Sequence, residues 1–374
     1  MKRLLFLLIG LAISAVSLYL ALRDLQFSDI WDAMSHMRAQ FFLLMLIPYV
    51  LTFMTKVWRW RVLLHSDDRR LTTGLLFSAL MISYIPLPFR LGEVARGALV
   101  SAKSSLPPAR VYSTILVEKV LDVLTLLFLL GLVLPFVALP QQLQGPAGGL
   151  ALFFLVGALA LLVLVLRPDL ARKLVGVVAR MLPARFGPRI ETVTEHALEG
   201  LTPMSDPHVA IRAALWSLAT WGVNAVTIYF LMSAFNVETS PLAAVTVMVA
   251  TNLGMAIPSA PGYVGTFELA VVLTLGVLTI PARTAQTFAL VYHFIALVPV
   301  ATMGVIAALQ QGVGLAGLGS GPATIESAPI NSNSGTIPVA RASLTEEEPD
   351  DLPRRQTPEP ELEPEPEPVA REKR

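Results

Sequence analysis

The chain contains no cysteine among its 374 residues. Disulfide bonds, thiolate zinc sites and cysteine nucleophiles are therefore excluded. Charged residues are also scarce, at 15% of the chain against roughly 25% in an average soluble protein. The net charge of +1 gives no basis for nucleic-acid binding, because the positive charges are confined to a few loops. This composition excludes an ordinary soluble domain and indicates an integral membrane protein.

Motifs of catalytic chemistry are missing as well. The sequence has no Walker A pattern for nucleotide phosphates and no GxSxG nucleophile elbow. Metal-ligand spacing is absent among the five histidines, which are His36, His65, His196, His208 and His293. We therefore expect no enzymatic activity, no cofactor and no metal.

Hydrophobic residues, by contrast, make up 54% of the chain. Apolar runs of about 20 residues, long enough to cross a bilayer, are typical of transmembrane helices. Six such runs occupy residues 4–22, 41–64, 111–139, 149–166, 209–235 and 282–309. The first follows Lys2 and Arg3 like a signal peptide, but it exceeds the roughly 7–15 apolar residues of a signal core. We read it as an uncleaved span of an all-α polytopic membrane protein.

Two further apolar segments, residues 71–102 and 241–280, are interrupted by a shared pattern. The interruptions read IPLPFRLGE at residues 85–93 and IPSAPGYVGTFE at residues 257–268. Irregular backbone at membrane depth must be buried in protein or line a wet cavity. We therefore predict two re-entrant or broken helical hairpins. Their structural turn residues are Pro88 and Gly92 in the first hairpin, and Pro261, Gly262 and Gly265 in the second.

The distribution of basic residues predicts the topology. Basic clusters follow the second span (Lys56, Arg59, Arg61, Arg69, Arg70), the first hairpin (Lys103, Arg110) and the fourth span (Arg167, Arg172, Lys173, Arg180, Arg185, Arg189). The positive-inside rule requires all of these clusters to be cytoplasmic. This is possible only if neither hairpin makes a net crossing of the bilayer. Each half, about residues 1–139 and 149–311, then crosses three times, so the second half is inverted. Such an inverted-topology repeat is typical of alternating-access transporters.

Two peripheral segments complete the predicted organisation. Residues 168–181 have the pattern of a helix lying on the cytoplasmic leaflet, or of a solvated linker helix. Residues 312–374 form a disordered, acidic, proline-rich tail after the membrane domain of residues 1–311. We expect a cell-membrane protein whose N-terminus and tail are both cytoplasmic.

The first hairpin carries Arg90, Glu93 and Arg96 at its turn. The start of a half-helix offers free N–H groups, and an arginine beside it adds a fork of donors suited to phosphate. Glu93 and Arg96 are spaced to pair on one helix face. We predict that this turn holds a lipid phosphate. The alternative is that Arg90 only anchors the hairpin at the interface by snorkelling.

The next span contains Glu118, Lys119 and Asp122. Glu118 and Asp122 stack one turn apart, so they repel unless a cation or a shared proton lies between them. The sequence allows two interpretations of these carboxylates: a functional ion network with Arg90 or Arg96, or a purely structural salt bridge. Proton coupling is a subordinate hypothesis.

Glu268 is the only formally charged residue in the second hairpin segment. It either faces a central cavity or ligates the turn. His293 in the last span fits a hydrogen-bonded packing residue better than a proton carrier.

Three motifs, PFRLGEVAR, VEKVLD and PSAPGYVGTFE, resemble the lysylphosphatidylglycerol synthase transmembrane-region family of flippase-like membrane proteins. The resemblance covers about residues 2–310. It implies membrane translocation of aminoacylated phospholipid or a link to lipid-linked glycan assembly. The positions it carries over are Arg90, Gly92, Glu93, Arg96, Glu118, Asp122, Pro261, Gly262, Gly265 and Glu268. Bifunctional relatives add a soluble aminoacyl-transferase domain, so lysyl transfer is not expected from this polypeptide.

Together these patterns predict the flipping of a phospholipid or lipid-linked intermediate by alternating access. The predicted substrate site consists of Arg90, Glu93, Arg96, Glu118, Asp122 and Glu268. The expected partners are membrane lipids with an anionic or phosphate-bearing headgroup, and a synthase or glycosyltransferase. A non-transporting scaffold for such an enzyme is the alternative, and an intramembrane phosphotransfer enzyme is a third class.

Overall fold

The computed structural model describes residues 2–23, 25–87, 91–136, 206–237 and 240–313, residue 204, and separate residues between 149 and 173. Several sequence predictions fall outside this part of the chain. They are Pro88 and Arg90, part of the span 149–166, most of the segment 168–181, the basic loop after it, and nearly all of the tail.

Every regular element with bounds in the described part is a helix, which confirms the all-helical prediction. Ten α-helices, together with short 3₁₀ turns at Leu134–Phe136 and Pro261–Tyr263, make up this part. The helices are α1 (Lys2–Leu22), α2 (Phe27–Ser35), α3 (Ala39–Leu64), α4 (Thr73–Ser83), α5 (Leu91–Lys103), α6 (Pro108–Val133), α7 (Pro207–Ala234), α8 (Pro241–Gly254), α9 (Thr266–Val277) and α10 (Ala282–Gln310).

Four of the described helical segments are long and apolar enough to cross a membrane: Ala39–Leu64, Pro108–Phe136, Pro207–Ala234 and Ala282–Gln310. They contain 26 to 29 residues each, whereas a hydrocarbon core of about 30 Å needs about 20. The protein is therefore a multi-pass membrane protein. The predicted first span also forms a helix, α1, of 21 residues. The count of six spans stays a prediction.

Helices α3 and α7 form the central pair and run antiparallel. At one end the backbone N–H of Arg38 donates to the carbonyl oxygen of Ala234 at 2.8 Å. At the other end the rings of Trp58 and Trp216 lie 5.1 Å apart. The start of α3 therefore lies at the same end of the molecule as the finish of α7.

The first hairpin, α4 and α5, returns to the end of the molecule from which it departs. Asp68, just before α4, accepts hydrogen bonds from the backbone N–H and the hydroxyl of Ser105, just after α5, at 2.7 and 2.8 Å. The backbone N–H of Ser105 is the main reason that the pKa of the Asp68 carboxyl is lowered. Beside them, Arg110 donates to the carbonyl oxygen of His65 at 2.8 Å. The helix break predicted between residues 71 and 102 is present as a hairpin of two helices whose outer ends lie together; its re-entrant position in the membrane stays a prediction.

The second hairpin, α8 and α9, is anchored at the opposite end. Asn236, just before α8, donates to the carbonyl oxygen of His36 at 3.1 Å. Arg283, at the start of α10, lies 3.7 Å from a carboxylate oxygen of Asp29 in α2. Since α2 leads directly into α3, both ends of this hairpin lie where α3 begins. Two hairpins based at opposite ends fit the inverted repeat, which itself stays a prediction.

The tips of the two hairpins lie next to each other. A Cβ atom built at Gly262 would lie 3.8 Å from the Cβ of Pro86 in the first tip. Gly265 packs so tightly on α1 that a Cβ atom there would lie 2.2 Å from the carbonyl oxygen of Ser14. Gly265 also has a φ of 93°, a conformation that glycine adopts at little cost. In the first hairpin, a Cβ at Gly92 would lie 2.9 Å from the carbonyl oxygens of Ile82 and Ser83.

Helix α10 packs against both hairpins and carries Pro299 in its interior. Proline has no backbone N–H, so the carbonyl oxygen of Ile295 has no partner one turn further along α10. The hydroxyl of Tyr49 in α3 donates to that carbonyl oxygen at 3.0 Å. The bond missing from α10 is thus replaced by one from the central helix pair.

Candidate functional site

Four charged side chains from three helices form what we call the arginine–carboxylate cluster: Arg59 on α3, Arg96 on α5, and Glu118 and Asp122 on α6. Arg96 Nη2 lies 2.9 Å from Glu118 Oε2, and Arg59 Nη1 lies 2.7 Å from Asp122 Oδ1. Arg59 Nη2 lies 3.7 Å from Glu118 Oε1. Arg59 therefore lies between the two stacked carboxylates, which is the role that the sequence analysis assigned to a cation.

The cluster is buried. The exposed fractions of Arg59, Arg96 and Glu118 are 0%, 1% and 3%. Removing such charges from water costs several kcal/mol per ion, and only close pairing offsets that cost. Lys56, one turn before Arg59, donates to the Tyr84 hydroxyl at 2.7 Å and is close enough to interact with Asp122. With Lys56 included, three cations face two carboxylates, so this region carries one excess positive charge.

Several donors in and beside the cluster have no hydrogen-bond partner. They are Arg59 Nε and Nη2, Arg96 Nε, and the indole Nε1 of Trp221. Nε and Nη2 lie on one edge of a guanidinium group, which matches two oxygens of a phosphate or carboxylate. A buried donor without a partner costs about 1–3 kcal/mol, and such groups call for an explanation. Binding an oxyanion would satisfy these donors.

Aromatic side chains position the cations. The guanidinium carbon of Arg96 lies 4.6 Å from the centre of the Trp60 ring. The indole N–H of Trp60 donates to Thr114 Oγ1 at 3.0 Å, which fixes the orientation of that ring. Lys56 Nζ lies 5.4 Å from the centre of the Tyr84 ring. These aromatic rings stabilise the cations but leave their unpartnered donors unsatisfied.

The sequence analysis placed Lys56, Arg59 and Arg61 in a basic cluster after the second span, and this was wrong, because all three lie within α3. Helix α3 continues to Leu64, so Arg59 lies inside the helix and faces α6 and α7, where Ser217 Oγ accepts from it at 3.2 Å. The signal that could have identified it is its position within the apolar run 41–64, between two tryptophans.

The predicted site residues fall into two groups. Arg96, Glu118 and Asp122 meet in the cluster. Glu93 Oε1 pairs with Lys119 Nζ at 2.9 Å nearby, in a partly exposed position. Glu268 belongs to a separate network in the second hairpin: its Oε1 lies 2.7 Å from His293 Nδ1, and its Oε2 accepts from the backbone N–H of Gly265 at 2.7 Å. Glu268 therefore ligates the turn, which is one of its two predicted roles.

Comparison with known proteins places this arrangement in a family. The "Glycosyltransferase AglD" of Haloferax volcanii is 27% identical over 256 residues, which cover 60% of this chain and 41% of that relative. No solved structure matches the chain. The sequence profile of the lysylphosphatidylglycerol synthase transmembrane region matches residues 7–304. The chain therefore belongs to the lysylphosphatidylglycerol synthase transmembrane-region family.

Proposed function

We propose that this protein moves a phospholipid or a lipid-linked intermediate across the membrane by alternating access. The single observation that carries this proposal is the arginine–carboxylate cluster, which is buried in an apolar protein and has unpartnered donors. Ionisable groups at such depth are functional candidates by default. The excess positive charge favours an anionic headgroup over a cationic one.

In the proposed complex, phosphate oxygens accept hydrogen bonds from Arg59 Nε and Nη2 and from Arg96 Nε. Glu118 and Asp122 hold the two guanidinium groups in position and accept from hydroxyl or ammonium groups of the headgroup. Glu93, in the first turn of α5, and Arg90, which precedes α5 in the sequence, are further proposed contacts for the headgroup. The acyl chains stay in the bilayer throughout.

Movement of the headgroup requires the site to open, because Arg59 and Arg96 are enclosed in the described conformation. The two hairpins are based at opposite ends of α3, so displacing one or the other would open the site to one side at a time. Rocking of two inverted halves, residues 1–139 and 149–311, is the proposed motion. The N-terminus and the acidic tail are proposed to be cytoplasmic, in the cell membrane.

The second candidate is a scaffold that recruits a lipid or glycan synthase. The observation that favours it is the relative named as a glycosyltransferase, less than half of whose length is matched by this chain. In this case the cluster is structural and the tail, residues 312–374, makes the contact. Deleting the tail would then abolish function, whereas conservative changes in the cluster would have little effect.

The test is lipid flipping in reconstituted vesicles, with fluorescent phospholipids quenched from outside by a membrane-impermeant reagent. We expect flipping above the rate of protein-free vesicles, and a decrease of about 10-fold for Arg59→Lys, which keeps the charge but loses the donor fork. The matched control is Arg61→Lys on the exposed face of the same helix, which should flip at the wild-type rate. Rates equal to those of empty vesicles for all phosphate-bearing lipids would overturn the proposal.

A further inference from the structure

The network in the second hairpin contains one imidazole between two hydrogen-bond acceptors. His293 Nδ1 lies 2.7 Å from the Oε1 atom of Glu268, and His293 Nε2 lies 2.8 Å from the carbonyl oxygen of Gly262. A backbone carbonyl oxygen can only accept, so the proton in the second contact must be on Nε2. A neutral imidazole has only that one N–H.

The contact between Nδ1 and the carboxyl group therefore needs a second proton. If the proton is on Nδ1, an imidazolium pairs with a carboxylate; if it is on Glu268, a carboxylic acid donates to a neutral imidazole. In both cases the pair holds one proton more than a neutral histidine beside an ionised glutamate. We propose that Glu268 and His293 form a proton-binding site of this protein, and that loss of the proton loosens the tip of the second hairpin.

The surroundings favour keeping this proton. The exposed fractions are 2% for Glu268 and 6% for His293, and the Phe267 ring stacks on the imidazole at 4.3 Å between ring centres. A carboxylate in such a place is strongly disfavoured without a positive partner. Among described residues of the elements packed around the pair, α8 has no titratable side chain. The others have Lys2, Arg3 and Tyr19 on α1, Tyr263 in the tip, and Arg283 and Tyr292 on α10.

The position of the pair connects the proton to the backbone of the tip. Gly262 belongs to the turn Pro261–Tyr263 that lies against Pro86 of the first tip, so the hydrogen bond from Nε2 ties α10 to the point where the hairpins meet. Release of the proton to water leaves one donor for two acceptors, and one of the two contacts is lost. The proton site is independent of the proposed lipid movement; only its coupling to that movement rests on the proposed function.

The proton is measured directly by nitrogen NMR of histidine-labelled protein and by infrared absorption of protonated carboxyl groups. We expect either an imidazolium signal that is lost in His293→Gln, or a carboxylic-acid band that is lost in Glu268→Gln. A neutral His293 together with an ionised Glu268 at neutral pH would overturn the proposal.

The loosening of the tip is measured by thiol labelling, since the chain has no cysteine and each introduced cysteine is unique. Ser259→Cys reports on the tip, and Thr279→Cys, at an exposed position, corrects for ionisation of the thiol. We expect the ratio of their labelling rates to rise about 10-fold as pH increases in an otherwise unchanged chain. The ratio should stay constant in a His293→Gln background, which keeps a donor but cannot gain or lose a proton.

A ratio independent of pH in the otherwise unchanged chain would overturn the loosening. Lipid flipping measured in the same vesicles separates the two proposals. Flipping that is insensitive to pH, with the proton detected, would remove the coupling and leave the proposed function intact. Absence of flipping, with the proton and the labelling change detected, would remove the proposed function and leave the proton site.

Discussion

The two hairpins share an architecture but differ in chemistry. In each hairpin, a glycine allows a half-helix to begin in close contact with neighbouring backbone. A network of charged side chains lies near that glycine. The network near the first hairpin has more cations than carboxylates, and some of its donors have no hydrogen-bond partner. In the second, both oxygens of Glu268 are engaged within the turn or with His293. This difference is consistent with the proposal that the first network binds a ligand, whereas the second network contacts its own backbone.

The largest expected effect is that of removing a buried charge from the first network. Glu118→Gln leaves Arg96 without its carboxylate, and breaking a buried pair in this way costs about 3–5 kcal/mol. Glu93→Gln is the matched control, because its pair with Lys119 is partly exposed and is worth about 0–1 kcal/mol. Thermal unfolding in detergent measures both. Equal losses for the two variants would mean that burial does not distinguish the pairs.

A somewhat smaller loss of stability is expected from Gly265→Ala. The added methyl group would overlap the carbonyl oxygen of Ser14, and overpacking of this kind costs about 1–3 kcal/mol. The backbone of Gly265, with φ 93° and ψ −57°, adds strain for an alanine because residues with a Cβ atom rarely adopt this conformation. Gly92→Ala, where the overlap is smaller and no positive φ is recorded, should cost less in the same unfolding assay. A larger loss of stability for Gly92→Ala than for Gly265→Ala would show that the second tip accommodates an added methyl group more easily than the first.

A further contrast concerns Glu268→Ala. It leaves the backbone N–H of Gly265 and the imidazole of His293 without their acceptor, at a cost of about 1–3 kcal/mol. If the second network is mainly structural, hydrogen exchange at residues 260–266 should accelerate while exchange in α5 stays unchanged. Faster exchange in α5 alone would contradict the separation of the two networks.

The smallest expected effect is the pH dependence at the base of the first hairpin. Hydrogen bonds from Ser105 and Arg70 lower the pKa of Asp68 from its ordinary value of 3.8. Because the pKa is lower in the folded protein, the stabilisation is present above pH 3.8 and is lost as the pH falls through the folded value. Asp68→Asn should remove this acid sensitivity from thermal unfolding curves. Identical curves for both proteins between neutral and acidic pH would show that the contact does not contribute.

The sequence was sufficient for features that depend on local chemistry. The Pro–Gly pattern located both helix breaks, and isolated charges in apolar runs identified Arg96, Glu118 and Asp122. The sequence could not predict which charged residues pair with each other, because that depends on which helices pack together. Arg59 was therefore placed in a basic cluster after the second span. The two roles weighed for Glu268 were separated by its contacts with the backbone N–H of Gly265 and with His293, 25 residues further along the chain.

The proline in α10 has a mechanical consequence. A helix that lacks one rung of its hydrogen-bond ladder bends more easily at that point, and here the substitute rung, from Tyr49, comes from a different helix. A bend of α10 that lengthens this bond would weaken one contact between α10 and α3, the helix that also carries Arg59. The hydroxyl of Tyr49 is therefore a direct link between the proline bend of α10 and the helix of the arginine–carboxylate cluster.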